Sequence, residues 1–224
     1  MITNTITKFL NGITVNNNKE WFNANKELYL EAKADFEKFI AELIAGLRKM
    51  DPEIGDIKPS DCIFRIYKDV RFSKDKLPYK NNFGAYMVKG GKKSGHAGYY
   101  FHVEPDNSFL SGGIYMPMPP ILNSVRKHIH ENVGTFLKIT ENPDFKKYFG
   151  EVQGSKLVSA PKGYAKDLKH IELLKLKDFY VLRGLSDKEL KDKNLISSAL
   201  EGFKKVKDFN GFINEGIVNN SFIS

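Results

Sequence analysis

The sequence predicts an α+β fold in which an antiparallel sheet is covered by helices, and two observations support this prediction. Short stretches that alternate apolar and polar side chains are grouped in the middle of the chain, between residues 83 and 116. On both sides of them, apolar residues recur every three or four positions, as in amphipathic helices. With 224 residues, 41% of them hydrophobic, the chain can bury one substantial core, so we expect a single domain over residues 1–224.

The first 50 residues are predicted to be helical. A short helix is expected to begin at Thr3 or Asn4, both of which are good capping residues. Asn18 is a suitable cap for a long amphipathic helix that runs to about Met50. Pro52 ends this helix, because proline disfavours a helical conformation in the residue before it.

Four short strands are predicted in the sequence up to residue 116. The last two form a hairpin, with Pro105-Asp106-Asn107 as the turn. Gly112-Gly113 lacks side chains, which is typical of a position that another backbone or a ligand approaches closely. The predicted strands are Cys62–Tyr67, Phe83–Lys89, Gly98–Glu104 and Ser108–Met116.

The second half of the chain alternates helices with a further strand. Ser186 begins a Ser-Asp-Lys-Glu sequence that fits a capping box and opens the closing helical region. The segment from Gly154 to Gly163 has mixed character, with one possible strand. The other predicted elements are a helix over Pro120–Thr140, a short helix opened by Pro143, a short helix over His170–Lys177 and a strand over Phe179–Leu185.

Positive charge is concentrated between residues 65 and 80, where six side chains are basic and two are acidic. The chain holds only five arginines against thirty lysines, so two arginines six positions apart indicate a need for a forked, permanently charged donor. Pro78 argues against a central strand, and we predict that Asp69–Asn82 is an ordered loop. Together with Arg65 on the preceding strand, it is expected to bind a small phosphate- or carboxylate-bearing ligand. The predicted ligand contacts are Arg65, Asp69, Arg71, Ser73, Lys76, Tyr79 and Lys80.

Two alternatives use the same loop. The first is a nucleic-acid-binding module, since Tyr67, Phe72 and Tyr79 interleave with the cations as base-stacking rings would. The second is a structural network of ion pairs, with function exerted through a protein partner. For stability, we expect Arg65 on its strand to be buried and paired with an aspartate, and Arg71 in the loop to be unpaired.

His102 and Glu104 are the candidates for chemistry, because strand alternation places them on one face together with Tyr100. A histidine there could act as general acid or base near neutral pH, although a buried structural histidine fits the same pattern. One His-x-Glu pair is a weak metal signal, and we predict no metal site. The chain contains no P-loop, no dinucleotide fingerprint and no nucleophile elbow, so no cofactor is predicted and enzymatic activity is left open.

Several sequence features indicate a cytoplasmic protein. No apolar run approaches the roughly 20 residues that cross a bilayer, so no membrane partner is expected. The N-terminal residues lack the apolar core of a secretory signal. Cys62 is the only cysteine, which excludes an internal disulfide and fits a reducing compartment. It is expected to be a small buried hydrophobe rather than a nucleophile.

Several motifs along the chain resemble those of a known family. They are Asn18 … Trp21-Phe22 … Asn25-Lys26 … Tyr29, Phe64-Arg65-Ile66 … Asp69-Val70-Arg71-Phe72-Ser73-Lys74-Asp75-Lys76 … Pro78-Tyr79-Lys80, Gly98-Tyr99-Tyr100, Glu104-Pro105, Gly112-Gly113, Tyr115-Met116-Pro117 and Pro161-Lys162-Gly163-Tyr164. The chain resembles an uncharacterised, mostly bacterial family with fungal members, catalogued as domain of unknown function 2461. The resemblance implies no activity. Asp167-Leu168-Lys169 departs from the Asp-His-Pro that is common in that family, so this segment is given no catalytic role.

Overall fold

The computed structural model describes residues 1–69, 71 and 75–220, and within them it confirms an α+β fold. The strands are β1 (Phe83–Met87), β2 (Gly98–Val103), β3 (Ser108–Ile114) and β4 (Phe179–Leu185). The helices are α1 (Asn4–Val15), α2 (Lys19–Ala24), α3 (Lys26–Met50), α4 (Pro59–Cys62), α5 (Pro119–Glu131), α6 (Val133–Thr140), α7 (Pro143–Phe149), α8 (Ile171–Leu174), α9 (Asp187–Leu190) and α10 (Leu195–Asn220), with a single 3-10 turn at Pro52–Ile54.

The four strands form one antiparallel sheet in the order β1-β2-β3-β4. The predicted hairpin is confirmed as β2 and β3. Its turn is closed by a hydrogen bond of 3.2 Å from the Asn107 amide to the Glu104 carbonyl. Asp106 takes a positive φ of 59° in this turn, a conformation that aspartate tolerates better than most residues.

The chain divides into two compact units. Unit 1 comprises Met1–Lys92, Tyr100–Leu110 and Gly184–Glu201. Unit 2 comprises Lys93–Tyr99, Ser111–Arg183 and Gly202–Ser224. Each unit therefore combines stretches that are distant in sequence, and the single domain expected from composition stays a prediction.

Aromatic rings hold the helices of unit 1 against its strands. Phe36 of α3 stacks on Phe83 of β1 with 5.3 Å between ring centroids, and Phe39 of α3 meets Phe101 of β2 at 4.9 Å. Phe9 of α1 stacks on the same Phe83 at 5.8 Å. These five rings are buried, and burial of large apolar side chains is the main stabilising contribution in a core. They fix the position of β2, which carries the candidate site.

Three predicted helix starts are confirmed by their caps. The Thr3 hydroxyl accepts a backbone hydrogen bond of 3.2 Å at the start of α1, and the Asn18 side chain accepts one of 2.8 Å at the start of α2. Ser186 and Glu189 form the predicted capping box at α9. These starts were predictable because each depends on a side chain within three residues.

Two helices predicted as continuous are divided, and an asparagine lies at each division. The helix expected to run to Met50 is interrupted at Asn25, whose side-chain amide donates 2.9 Å to the Trp21 carbonyl. The helix expected over Pro120–Thr140 is interrupted at Asn132, whose amide donates 3.1 Å to the His128 carbonyl. Asparagine side chains compete with the backbone for hydrogen bonds in this way and interrupt regular helix.

The prediction of a strand over Cys62–Tyr67 is wrong. Its first residue ends α4, which the proline at position 59 opens. After it, only isolated bridges join the segment to its neighbours, between Ile63 and Ala85 and between Tyr67 and Tyr79. The segment therefore lies alongside β1 without adding a regular strand to the sheet.

The two adjacent glycines of β3 lie in unit 2 at a close approach, as predicted. A side chain at Gly113, where φ is +123°, would overlap the carbonyl oxygen of Phe179 in β4. A side chain at Gly112 would come within 2.6 Å of Val206 in α10. Backbone and helix can pack on β3 here because no Cβ stands in the way.

The remaining predictions in the second half agree with the structure in part. The strand over Phe179–Leu185 is confirmed as β4, and the helix expected over His170–Lys177 is shortened to α8. The mixed segment before them contributes isolated bridges, which pair Gln153 with Tyr180 and Lys156 with Leu176. Among the described residues, no helix combines the length and apolar character needed to cross a membrane.

Candidate functional site

The side chains of Tyr100 and His102 in β2, and of Glu104 just after the strand, form a continuous line of hydrogen bonds in unit 1. The Tyr100 hydroxyl lies 2.9 Å from His102 Nδ1, and His102 Nε2 lies 3.0 Å from Glu104 Oε2. The period-two alternation of the strand places these residues side by side. We call Tyr100, His102 and Glu104 the relay.

Polar and aromatic neighbours hold the relay in place. Glu104 also accepts a hydrogen bond of 2.7 Å from the amide of Asn81 and one of 2.9 Å from that of Asn107. The His102 ring stacks on Phe109 with centroids 4.5 Å apart and planes 16° apart. Such fixed neighbours keep a reactive side chain in one orientation.

The partners of His102 define its tautomer. The carboxylate of Glu104 can only accept, so Nε2 carries the hydrogen, and Nδ1 then accepts from the Tyr100 hydroxyl. Burial lowers the pKa of His102, and the nearby charge of Lys80 acts in the same direction, while Glu104 opposes them without reversing the shift. The imidazole is therefore neutral at pH 7 and can accept a proton.

The two outer members of the relay have opposite pKa shifts. Burial, with a further contribution from Glu104, raises the pKa of Tyr100 to about 12. Burial also acts to raise the pKa of Glu104, but hydrogen bonds from His102, Asn107 and Asn81 outweigh it and the pKa lies below its usual value. The resting relay is thus a carboxylate, a neutral imidazole and a neutral phenol.

This order of groups is the arrangement that activates a hydroxyl. A nucleophile or acid–base group, a base within hydrogen-bond reach and a third group that orients the base are the three parts required. Tyr100 can pass its proton to His102, and Glu104 then faces the imidazolium that forms. A side chain at Gly84 would overlap the Tyr100 hydroxyl, so the absence of one leaves room for that group.

Lys80 lies near the relay, and Arg65 lies near Lys80. Lys80 Nζ lies 5.2 Å from the centroid of the Phe64 ring, and that ring meets Tyr100 edge to face at 6.2 Å. Burial lowers the pKa of Lys80, and the charge of Arg65 lowers it further. In the described part of the chain, neither the Arg65 nor the Lys80 side chain forms a hydrogen bond or an ion pair.

The other charged residues of the loop pair with each other. Arg71 makes a two-pronged contact with Asp69, with Nε to Oδ1 at 2.9 Å and Nη2 to Oδ2 at 2.7 Å. Hydrogen bonds from Arg71 lower the pKa of Asp69 to about 2. Lys68 pairs with Asp75 at 3.1 Å. The expectation of a buried, paired Arg65 and an unpaired Arg71 is therefore wrong, since Arg65 is exposed and has no ion pair among the described residues, whereas Arg71 is paired.

The last predicted contacts are separate from these pairs. The ring of Tyr79 is buried and stacks on Phe22 with 4.1 Å between centroids, while its backbone exchanges hydrogen bonds of 3.0 and 2.9 Å with the side chain of Asn17. Lys76 is exposed. Ser73 lies outside the described residues. The structure thus brings Lys80 close to the predicted His102, brings Arg65 close to Lys80, and gives Tyr79 a place in the core.

Tyr100, Asn81 and Phe64 were not predicted as site residues. Alternation already placed Tyr100 on the face of His102, so the signal for it was present in the strand pattern. Asn81 reaches Glu104 from 23 positions away, and no local pattern announces such a contact. Among the described residues, no group of three or more His, Cys, Asp or Glu side chains is placed to hold a metal ion.

The comparisons with known proteins bear on family membership alone. The family model described as "Conserved hypothetical protein (DUF2461)" matches residues 5–212, and the chain belongs to this family. This confirms the resemblance drawn from the sequence motifs. Comparison with curated proteins and with solved structures gives no significant match.

Proposed function

We propose that the chain binds a small ligand bearing phosphate or carboxylate at Arg65 and Lys80, and that Tyr100 takes a proton from it. One observation carries the proposal. The charge of Arg65 acts on Lys80, neither side chain has a carboxylate partner among the described residues, and the charge of Lys80 acts on the imidazole to which the Tyr100 hydroxyl is hydrogen-bonded. Like charges held together favour an anion between them.

The proton follows the relay. As Tyr100 accepts a proton from the ligand, it passes its own hydroxyl proton to His102 Nδ1. The imidazolium that results keeps its Nε2–H on Glu104, so the positive charge faces a carboxylate. The ligand gains one negative charge, which Arg65 and Lys80 stabilise. The reaction class is therefore proton abstraction from an anionic substrate.

We further propose that this activity takes place in the cytoplasm. Cys62 is a free, buried thiol, and burial raises its pKa to about 11, so it is an inert side chain that suits a reducing compartment. The nucleic-acid alternative has less support, because it needs three stacking rings. The Tyr79 ring is buried under Phe22, and Phe72 lies outside the described residues.

A thermal-shift screen tests the binding part of the proposal. Phosphorylated metabolites, small organic acids and a single-stranded oligonucleotide are offered to the wild type, to Arg65→Ala and to Lys80→Met. We expect a stabilising small anion whose effect both variants remove. Arg48→Ala is the matched control, because Arg48 is an exposed arginine of the same unit that pairs with Asp56.

The outcomes separate the alternatives. The proposed site is overturned if no compound of the library stabilises the wild type. It is also overturned if Arg65→Ala and Lys80→Met are both stabilised as the wild type is. Stabilisation by the oligonucleotide alone, with a steep dependence on salt, assigns the cations to nucleic acid instead. Once a ligand is found, the Tyr100→Phe variant is expected still to bind it. In that variant, the acidic proton of the ligand should no longer exchange with deuterated water, as measured by NMR.

A further inference from the structure

Arg126 is a buried arginine in α5 of unit 2, with only 5% of its surface exposed. Its Nη2 donates a hydrogen bond of 2.8 Å to the carbonyl of Leu176. Its Nε is shielded from solvent and has no hydrogen-bond partner. A guanidinium has five N–H donors, and the carbonyl of Leu176 satisfies one of them.

No carboxylate compensates this buried charge within the described chain. Arg126 forms no ion pair there, and Tyr164 is the one side chain whose charge acts on its pKa. Burial lowers that pKa, yet a guanidinium remains charged at any physiological pH. A buried charge without a counter-ion is unfavourable, so the site is electrostatically prepared for an anion.

The other buried charge of unit 2 shows what full pairing looks like. Asp178, 4% exposed, accepts hydrogen bonds from the Met116 amide at 2.7 Å and from the amide and hydroxyl of Ser155 at 3.2 and 2.8 Å. This carboxylate is satisfied by backbone and side chain together. Arg126, in the same unit and equally buried, is not.

The groups around Arg126 suit an oxyanion. Tyr164 is half-buried and close enough for its pKa to respond to Arg126, and His130 is exposed and meets the Tyr164 ring edge to face at 5.3 Å. A hydroxyl and an imidazole beside a guanidinium are all able to donate to oxygen atoms. The Nε–H and an Nη–H of one arginine form the fork that matches two oxygens of a carboxylate or phosphate.

We propose that Arg126 is the anchor of a second anion site, in unit 2, that receives a carboxylate or phosphate group between its free Nε–H edge and the hydroxyl of Tyr164. The site shares no residue with the one at Arg65 and Lys80. A purely structural role would require only the hydrogen bond from Nη2 to the Leu176 carbonyl. It would not explain why the Nε–H is buried without an acceptor.

NMR of the arginine side chains tests this without any variant. The chain has five arginines, so its Nε–Hε signals form a small set. Sodium phosphate and sodium acetate are titrated separately at constant ionic strength, with sodium chloride as the reference salt. We expect one Hε signal to move downfield, with a shift that saturates as phosphate or acetate is added but not as chloride is added. This signal should be absent from the spectrum of the Arg126→Lys variant. Which of the two titrants saturates at lower concentration distinguishes phosphate from carboxylate.

A second measurement identifies the arginine and excludes the first site. Thermal unfolding is followed with the same salts in the wild type, in Arg126→Met and in a double variant Arg65→Ala/Lys80→Met. We expect the oxyanion-specific rise in Tm to persist in the double variant and to disappear in Arg126→Met. Without oxyanion, Arg126→Met is expected to raise Tm, because it removes an uncompensated buried charge at similar volume.

Each contrary result overturns the second site. No saturating Hε shift in the wild type, or a rise in Tm that survives Arg126→Met, removes the role of Arg126 in anion binding. A fall in Tm for Arg126→Met without oxyanion, or failure of that variant to fold, assigns Arg126 to structural support of the Leu176 carbonyl. Loss of the response in the double variant alone assigns the anion to Arg65 and Lys80.

Discussion

The basic segment between residues 65 and 80 can be compared with the relay. Both differ from what their sequences suggest, and they differ in opposite directions. This segment is rich in charge, but Lys68 pairs with Asp75 and Arg71 pairs with Asp69, and three of these four side chains are at least 43% exposed. The relay carries few charges, yet its polar groups are hydrogen-bonded in series, with His102 buried and Tyr100 and Glu104 half-buried. The number of charges in a segment therefore says less about a site than how those charges are partnered.

The difference has a physical cause. Exposed ion pairs are screened by water and salt, and each is worth little because two long side chains must be held in one geometry. A buried hydrogen-bond chain is stronger in its low-dielectric surroundings, and an unsatisfied member is costly. We therefore expect substitutions on β2 to have larger effects than substitutions in the loop, and three predictions follow in order of expected size.

Glu104→Ala is expected to have the largest effect on stability. It removes the acceptor of three side-chain hydrogen bonds and leaves the buried Nε2–H of His102 without a partner. We expect a loss of about 2–3 kcal/mol in the free energy of unfolding, measured by urea denaturation. Glu53→Ala, at a glutamate whose side chain is 85% exposed, is the control. Equal urea midpoints for the two variants would contradict the importance given to the relay.

The second prediction concerns pH and is of intermediate size. The pKa of His102 is lowered in the folded state, so the unfolded chain takes up a proton first as the pH falls through about 6.5, the ordinary histidine value. Stability that His102 contributes above pH 6.5 is therefore lost towards pH 5.5. We expect the fall in unfolding free energy between pH 7.5 and 5.5 to be smaller in His102→Gln than in the wild type.

His170→Gln supplies the matched comparison for that experiment, because His170 lies outside the relay at the start of α8. It should reproduce the pH dependence of the wild type. If His102→Gln and His170→Gln fall equally steeply with pH, then the histidine of the relay is not the group whose protonation opposes folding.

The smallest effects are expected from the two arginines of the loop. Arg71→Ala removes an ion pair whose arginine side chain is 76% exposed, so its urea midpoint should shift far less than that of Glu104→Ala. Arg65→Ala removes an exposed side chain that has no ion pair in the described part of the chain, and it should change the unfolding free energy by no more than about 0.5 kcal/mol. Matching large losses in Arg71→Ala and Asp69→Ala would reverse the comparison and make the loop a structural network.

Sequence reasoning succeeded where the cause is local or periodic. The Thr3 and Ser186 caps and the antiparallel hairpin depend on residues a few positions apart. The alternation of apolar and polar residues along β2 predicts that His102 and Glu104 share one face. The close approach at Gly112 and Gly113 followed from the lack of side chains there.

The failures have two causes. Either two local conformations were close in free energy, or the outcome depends on a contact between residues far apart in the sequence. A side-chain amide at Asn25 was enough to interrupt a helix whose apolar pattern continues. Tyr79 is held by Asn17, 62 positions away, so its burial could not be foreseen from its basic neighbours. The sequence around Arg126 has an ordinary helical pattern. Only the fold shows that the Leu176 carbonyl is the single hydrogen-bond partner of its guanidinium in the described chain.

The buried Cys62 has a practical consequence for studying this protein. Its thiol is shielded and its pKa is raised to about 11, so the thiolate that reacts with maleimides is scarce at neutral pH. Because the chain has no other cysteine, one introduced at an exposed position would be the preferred point of attachment. A fluorophore or spin label can therefore be placed beside either proposed anion site without first removing the native thiol.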